Sequence, residues 1–140
     1  MSSTSTLPAA ATLAVAATKI TVVAWRDPVL DATPGAHPTA SDDALIWYTP
    51  LLGPTAMLMA HRFATYAADG PSAWTIADVA RTFGLGRAVG RVAHIFERLE
   101  RFGVIARQDP NTVAVRLLLP PLRAGQRLLL PAYLADAYPS

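Results

Sequence analysis

The chain has 140 residues, of which 52% are hydrophobic and 16% charged, with a net charge of +2. That length suits one domain with a tail, and that apolar content excludes a chain disordered throughout. With no cysteine, disulfides and thiolate metal sites are excluded, and a reducing, cytoplasmic compartment is expected.

The net charge conceals an asymmetry. Residues 1–80 carry Lys19, Arg26 and Arg62 against six aspartates, whereas residues 81–127 carry nine arginines against Glu97, Glu100 and Asp109. A basic second half suits a surface that meets polyphosphate, although arginines that merely solvate helices give the same count.

Residues 1–18 are uncharged and of low complexity, and a disordered tail is expected over 1–19. The apolar stretch from Leu7 to Trp25 has no basic start and is interrupted by Lys19, so neither an export signal nor a membrane span is expected. β-Branched residues predict a strand over 20–26, ended by Asp27-Pro28, and residues 31–40 read as a loop.

Ser41-Asp42-Asp43 supplies a helix start, and Pro50 is expected to break the helix that opens there. A second start lies at Gly53-Pro54, after which Met57, Leu58, His61, Ala64, Thr65 and Ala68 recur at helical spacing up to Asp69-Gly70-Pro71. Thr75-Ile76-Ala77-Asp78 has the form of a capping box and opens a short helix that ends at Gly84. After the Gly84-Leu85-Gly86 turn, a helix is predicted from Ala88 to Phe102, with Val89, Val92, Ile95, Phe96, Leu99 and Phe102 on one face. Gly103 fits the left-handed position past its end. Strands are predicted over 104–108 and 112–119, joined by an Asp109-Pro110-Asn111-Thr112 turn. Residues 122–138 read as a final helical segment interrupted at Pro131.

This order of helix, short capped helix, turn, amphipathic helix and hairpin resembles a winged helix-turn-helix. The string Thr75-Ile-Ala-Asp-Val-Ala-Arg-Thr-Phe-Gly-Leu is similar to the second helix of bacterial winged-helix regulators. Phe96-Glu-Arg-Leu-Glu-Arg-Phe-Gly-Val-Ile-Ala-Arg resembles the end of their recognition helix, and Leu51-Leu-Gly-Pro-Thr-Ala-Met-Leu resembles the first helix of replication-initiator winged helices. The eight positions from Gly84 to Val92 exceed the common regulator spacing, so a longer turn is expected. The resemblance implies an α+β fold with a three-helix core and a β-hairpin wing over 20–119, followed by a helical C-terminal extension over 120–140. It also implies double-stranded DNA as the partner of a small transcriptional regulator.

Placed at 100° per residue, Arg87, Gly90, Arg91, His94, Arg98 and Arg101 lie opposite the Val92–Phe96–Leu99 stripe. The arginine fork can span two acceptors on a guanine edge or pair with a phosphate. Arg107, Asn111 and Arg116 belong to the hairpin. These eight polar residues (Arg87, Arg91, His94, Arg98, Arg101, Arg107, Asn111 and Arg116) form the candidate DNA-binding set. The histidines have no metal-ligand spacing, and no nucleophile elbow or phosphate loop is present, so no metal, cofactor or catalysis is expected. A protein-interaction module is the competing expectation, because Leu128-Leu129-Leu130-Pro131-Ala132-Tyr133-Leu134 is too apolar for a free tail and is expected to pack on the domain or on a second copy as a homodimer.

Overall fold

The computed structural model describes residues 14–139 and has an α+β architecture. Most of the tail expected over 1–19 lies outside the described residues; of its remainder, residues 14–17 are helical and Lys19 opens the first strand.

That strand, β1 (Lys19–Trp25), is followed by the single turn α1 (Pro28–Asp31), capped by the Asp27 carboxylate, which accepts from Val29 N. Then come the short strand β2 (His37–Pro38), the helices α2 (Asp42–Leu52) and α3 (Pro54–Ala67), and the strand β3 (Ser72–Thr75). The chain continues through α4 (Ile76–Thr82), α5 (Val89–Arg101) and the hairpin β4 (Ile105–Asp109) and β5 (Thr112–Arg116). It ends with β6 (Leu118–Leu119), α6 (Ala124–Arg127) and α7 (Ala132–Ala137).

The main sheet has the order β3-β1-β5-β4, and β2 pairs with β6 in a small second sheet. β1 runs antiparallel to β3 and parallel to β5, with Thr21 opposite Thr112 and Trp25 opposite Arg116. The β-branched residues Val22, Val113 and Val115 are buried, as expected where a pleated face meets a helix layer. α3 packs on β1 and β5, and α5 packs on α3 and α4. Phe63 of α3 stands at the centre of this core, edge-on to Trp74, Phe83 and Phe96.

The structure revises several expectations. α2 continues through Pro50 to Leu52. The proline deprives the Ile46 carbonyl of its helical donor, but Ile46 is 47% exposed, so water can replace it. The buried stripe of α3 is Ala56, Met57, Met59, Ala60, Phe63, Ala64 and Ala67, while Leu58 is half exposed. The helix is thus rotated from the expected face, because burying Phe63 and Met59 removes more apolar surface than burying Leu58 and Ala68.

β3 and β2 fall where no strand was expected. The strand expected over 112–119 divides at Leu117, whose N–H donates to the Trp25 carbonyl and whose own carbonyl accepts from Thr39 N. The interruption lets one segment leave the main sheet and pair with β2. The capping-box expectation holds in one direction, since Thr75 Oγ1 accepts from Asp78 N at 3.0 Å.

Gly103 adopts φ +72°. There Val104 N donates to Leu99 O and Gly103 N to Glu100 O, both at 2.9 Å, which closes the last carbonyls of α5. The hairpin turn is fixed by Asn111 N donating to Asp109 Oδ1 at 2.8 Å, and that bond holds the Asp109 carboxyl below its usual range. Among the described residues no helix is long and apolar enough to cross a membrane.

Candidate functional site

α5 is amphipathic in the sense expected. Val89, Val92, Phe96 and Leu99 are buried, while Arg91, His94, Arg98 and Arg101 are exposed, as is Arg87 in the preceding turn. The chemistry available to these side chains differs.

Three of the arginines are committed to the protein itself. Arg98 reaches across to the C-terminus of α2, where Nε donates to Leu52 O at 2.8 Å and Nη2 to Leu51 O at 2.9 Å. It thereby bonds carbonyls that have no helical donor and places a cation at the negative end of α2. Arg107 Nε lies 2.8 Å from Glu100 Oε1, tying β4 to α5, and its guanidinium sits 5.8 Å from the Phe96 ring centroid. Arg116 is the most enclosed. Its Nη1 is 2.8 Å from Asp27 Oδ2, its Nε donates to Gly103 O at 2.7 Å, and its guanidinium stacks on Trp25 at 3.7 Å. The Arg116 guanidinium beside Asp27, with the Val29 amide, holds the Asp27 carboxyl below its ordinary range.

The remaining cations face outward. Among the described residues, Arg87, Arg91 and Arg101 make no side-chain hydrogen bond and no ion pair. His94 approaches Glu97 at 3.9 Å, with both side chains largely exposed. Asn111 is exposed at the hairpin tip. The structure therefore leaves Arg91, His94 and Arg101 on the exposed side of α5 and Arg87 exposed in the turn before it, keeps Asn111 on the hairpin, and assigns Arg98, Arg107 and Arg116 to internal contacts.

The junction between α2 and α3 falls at Gly53-Pro54, as expected, but sequence reasoning missed what lies beside it. A groove of about 330 Å³ opens there, lined by Gly53, Pro54, Thr55, Arg91, Ile95 and Arg98. Gly53 both ends α2 and precedes α3, at φ +85° and ψ 157°, and no side chain caps α3. The Gly-Pro pair was the available signal. Its position beside Arg91 was not readable, because the two segments are far apart in the chain.

No family model, curated protein or solved structure matches this chain. Among the described residues no group of three His, Asp or Glu side chains is arranged to hold a metal.

Proposed function

We propose that the chain is a winged helix-turn-helix protein that binds double-stranded DNA, with α5 in the major groove and the β4–β5 hairpin as the wing. The observation that carries this reading is the group of outward cations on α5 and in the turn before it. Arg87, Arg91 and Arg101 have no partner among the described residues, although acidic side chains such as Glu97 and Glu100 lie on the same helix. The order α3, β3, α4, α5, β4, β5 agrees with it, and the basic second half supplies the field that attracts phosphate.

In this reading Arg87, in the turn before α5, and Arg91, in its first turn, reach base edges, and Arg101, nearer the hairpin, meets a phosphate. A small bacterial transcriptional regulator fits such a chain. The test is a duplex mobility-shift titration at several salt concentrations. The parent should bind with an affinity that falls steeply with salt. The Arg87→Ala, Arg91→Ala, Arg101→Ala triple variant should bind more weakly, with a salt slope lower by about 0.9 for each phosphate no longer neutralised. Unchanged affinity in the triple variant would leave these charges as solvation.

A second reading rests on a separate observation. Leu128, Leu129 and Tyr133 are 85%, 64% and 73% exposed, whereas Leu130 beside them is buried. An exposed apolar edge of this kind suits a protein-interaction surface. A second copy of the chain is the simplest partner, and it would present two α5 faces to one duplex. Light scattering of the parent against a Leu128→Glu, Leu129→Glu variant reads it. The parent should be a dimer and the variant a monomer, and two monomers would discard the interface.

A further inference from the structure

The loop leading to α2 and the C-terminal extension enclose a recess of about 400 Å³ that contains no residue of α5 or the hairpin. The rings of Pro34, Pro121 and Pro139 contribute its apolar wall, and His37, Asp43 and Tyr138 its polar groups. His37 is only 8% exposed and packs against the rings of Tyr48 and Tyr138.

The hydrogen bonds around Tyr138 fix the protonation of the His37 ring. Leu122 N donates to Tyr138 Oη at 2.7 Å, and the same oxygen lies 2.7 Å from His37 Nε2. If Nε2 carried the proton, the tyrosine oxygen would receive two donors and its own hydroxyl hydrogen would be left without an acceptor. The satisfied arrangement has Tyr138 donating to an unprotonated Nε2, so the proton resides on Nδ1. Among the described residues Nδ1 has no partner, and it is not sealed away as a buried orphan. His37 lines the recess, and we infer that this N–H opens into it. A neutral N–H donor and an anionic acceptor, Asp43, therefore face one proline-walled space.

We propose that this recess is a binding site for a small molecule carrying a primary carboxamide. The carbonyl oxygen accepts from His37 Nδ1–H, the NH2 group donates to the Asp43 carboxylate, and the body of the ligand lies against the proline rings. The two protein groups select this chemistry jointly. A carboxylic acid suits His37 but is repelled by Asp43, and a pyridine ring without the amide can accept from His37 through its nitrogen but offers Asp43 no donor. The volume accommodates a single-ring amide. Because the ligand bridges the α2 start and a ring bonded to Tyr138, its binding fastens the C-terminal extension to the rest of the fold. None of this depends on the DNA-binding reading.

The test uses the full chain and nicotinamide as the probe, with nicotinic acid and pyridine as comparators. Nitrogen NMR of the histidine rings should show a saturable shift of His37 Nδ1 with nicotinamide, and the melting temperature should rise with probe concentration. Nicotinic acid and pyridine should bind at least about tenfold more weakly. Asp43→Ala should lose nicotinamide binding by a similar factor and retain a cooperative melt. A His37 variant risks losing the Tyr138 contact altogether, so Asp43→Ala is the deciding substitution. The proposal is overturned if no saturable shift occurs, if the three probes act alike, or if Asp43→Ala binds as the parent does.

Discussion

At the scale of single residues, arginines of identical chemistry on one helix have opposite fates. Arg98 and Arg91 both project from the exposed face of α5, yet Arg98 holds the carbonyls of Leu51 and Leu52 while Arg91 has no partner among the described residues. Arg98→Ala should lower stability by about 1–2 kcal/mol, because two carbonyls lose their donor at a partly solvated helix end. Arg91→Ala should change stability by no more than about 0.5 kcal/mol and, in the DNA-binding reading, should weaken duplex affinity by about 1–3 kcal/mol. Thermal melts and mobility shifts on the two variants separate these effects. The sequence does show the face, through the Val92–Phe96–Leu99 spacing. It does not show which cation is committed, since the partners of Arg98 lie in another helix. His37 is a second case. Burial pushes its pKa below the ordinary value of about 6.5, while Asp43 and Tyr48 from α2, and Tyr138 with Arg127 over its ring, are the titratable and charged groups around it. The folded state thus prefers the neutral ring. Its contribution is complete above the unfolded pKa and is lost as pH falls from there through the lowered folded value. Denaturant midpoints measured across that window should decline with acidity, and a His37→Gln variant should flatten the decline.

At the scale of elements, the parts that were readable carry strong local signals. The caps at Ser41 and Thr75, the stripe of α5, the glycine after it and the Asp109-Pro110 turn all appear where local chemistry places them. The parts that were not readable depend on partners. Ser72–Thr75 is a strand because β1 lies beside it, and His37–Pro38 because Leu118–Leu119 does. Four residues and two residues hold too little period to announce themselves. Two glycines near α5 provide opposed predictions. Gly103, at φ +72°, should cost about 1–2 kcal/mol on replacement by alanine, from the left-handed backbone alone. Gly90 lies in the first turn of α5, and a Cβ there meets nothing within 4 Å. Gly90→Ala should raise stability by about 0.4–1 kcal/mol, read as a higher denaturant midpoint. If a duplex backbone approaches α5 at Gly90, the same substitution should reduce DNA affinity.

At the scale of the whole molecule, the charge asymmetry visible in composition is narrowed by the fold. Arg98, Arg107 and Arg116 belong to the basic half by sequence, but their charges are directed inward or paired. The outward field comes from fewer groups than the count suggests. The extension is likewise part of the body, since Leu122, Leu130 and Tyr138 are buried against it. A truncation after Leu119 should therefore melt at a lower temperature, with a drop of several degrees expected for a loss of about 1–2 kcal/mol. The placement of β1 also bears on how the chain reaches this state. Of the two central strands of the main sheet, β1 precedes all the core helices and its parallel neighbour β5 follows them. A ribosome that has released β1, α2 and α3 still holds the segment that must lie beside Val22. The nascent chain must keep that strand unpaired on one side until β5 emerges, with only short β3 available to it meanwhile. Closing so long a loop precedes the contacts that reward it, so folding should be slow for a protein this rich in helix. Interrupted synthesis products ending before β5 should accumulate as an open, aggregation-prone edge.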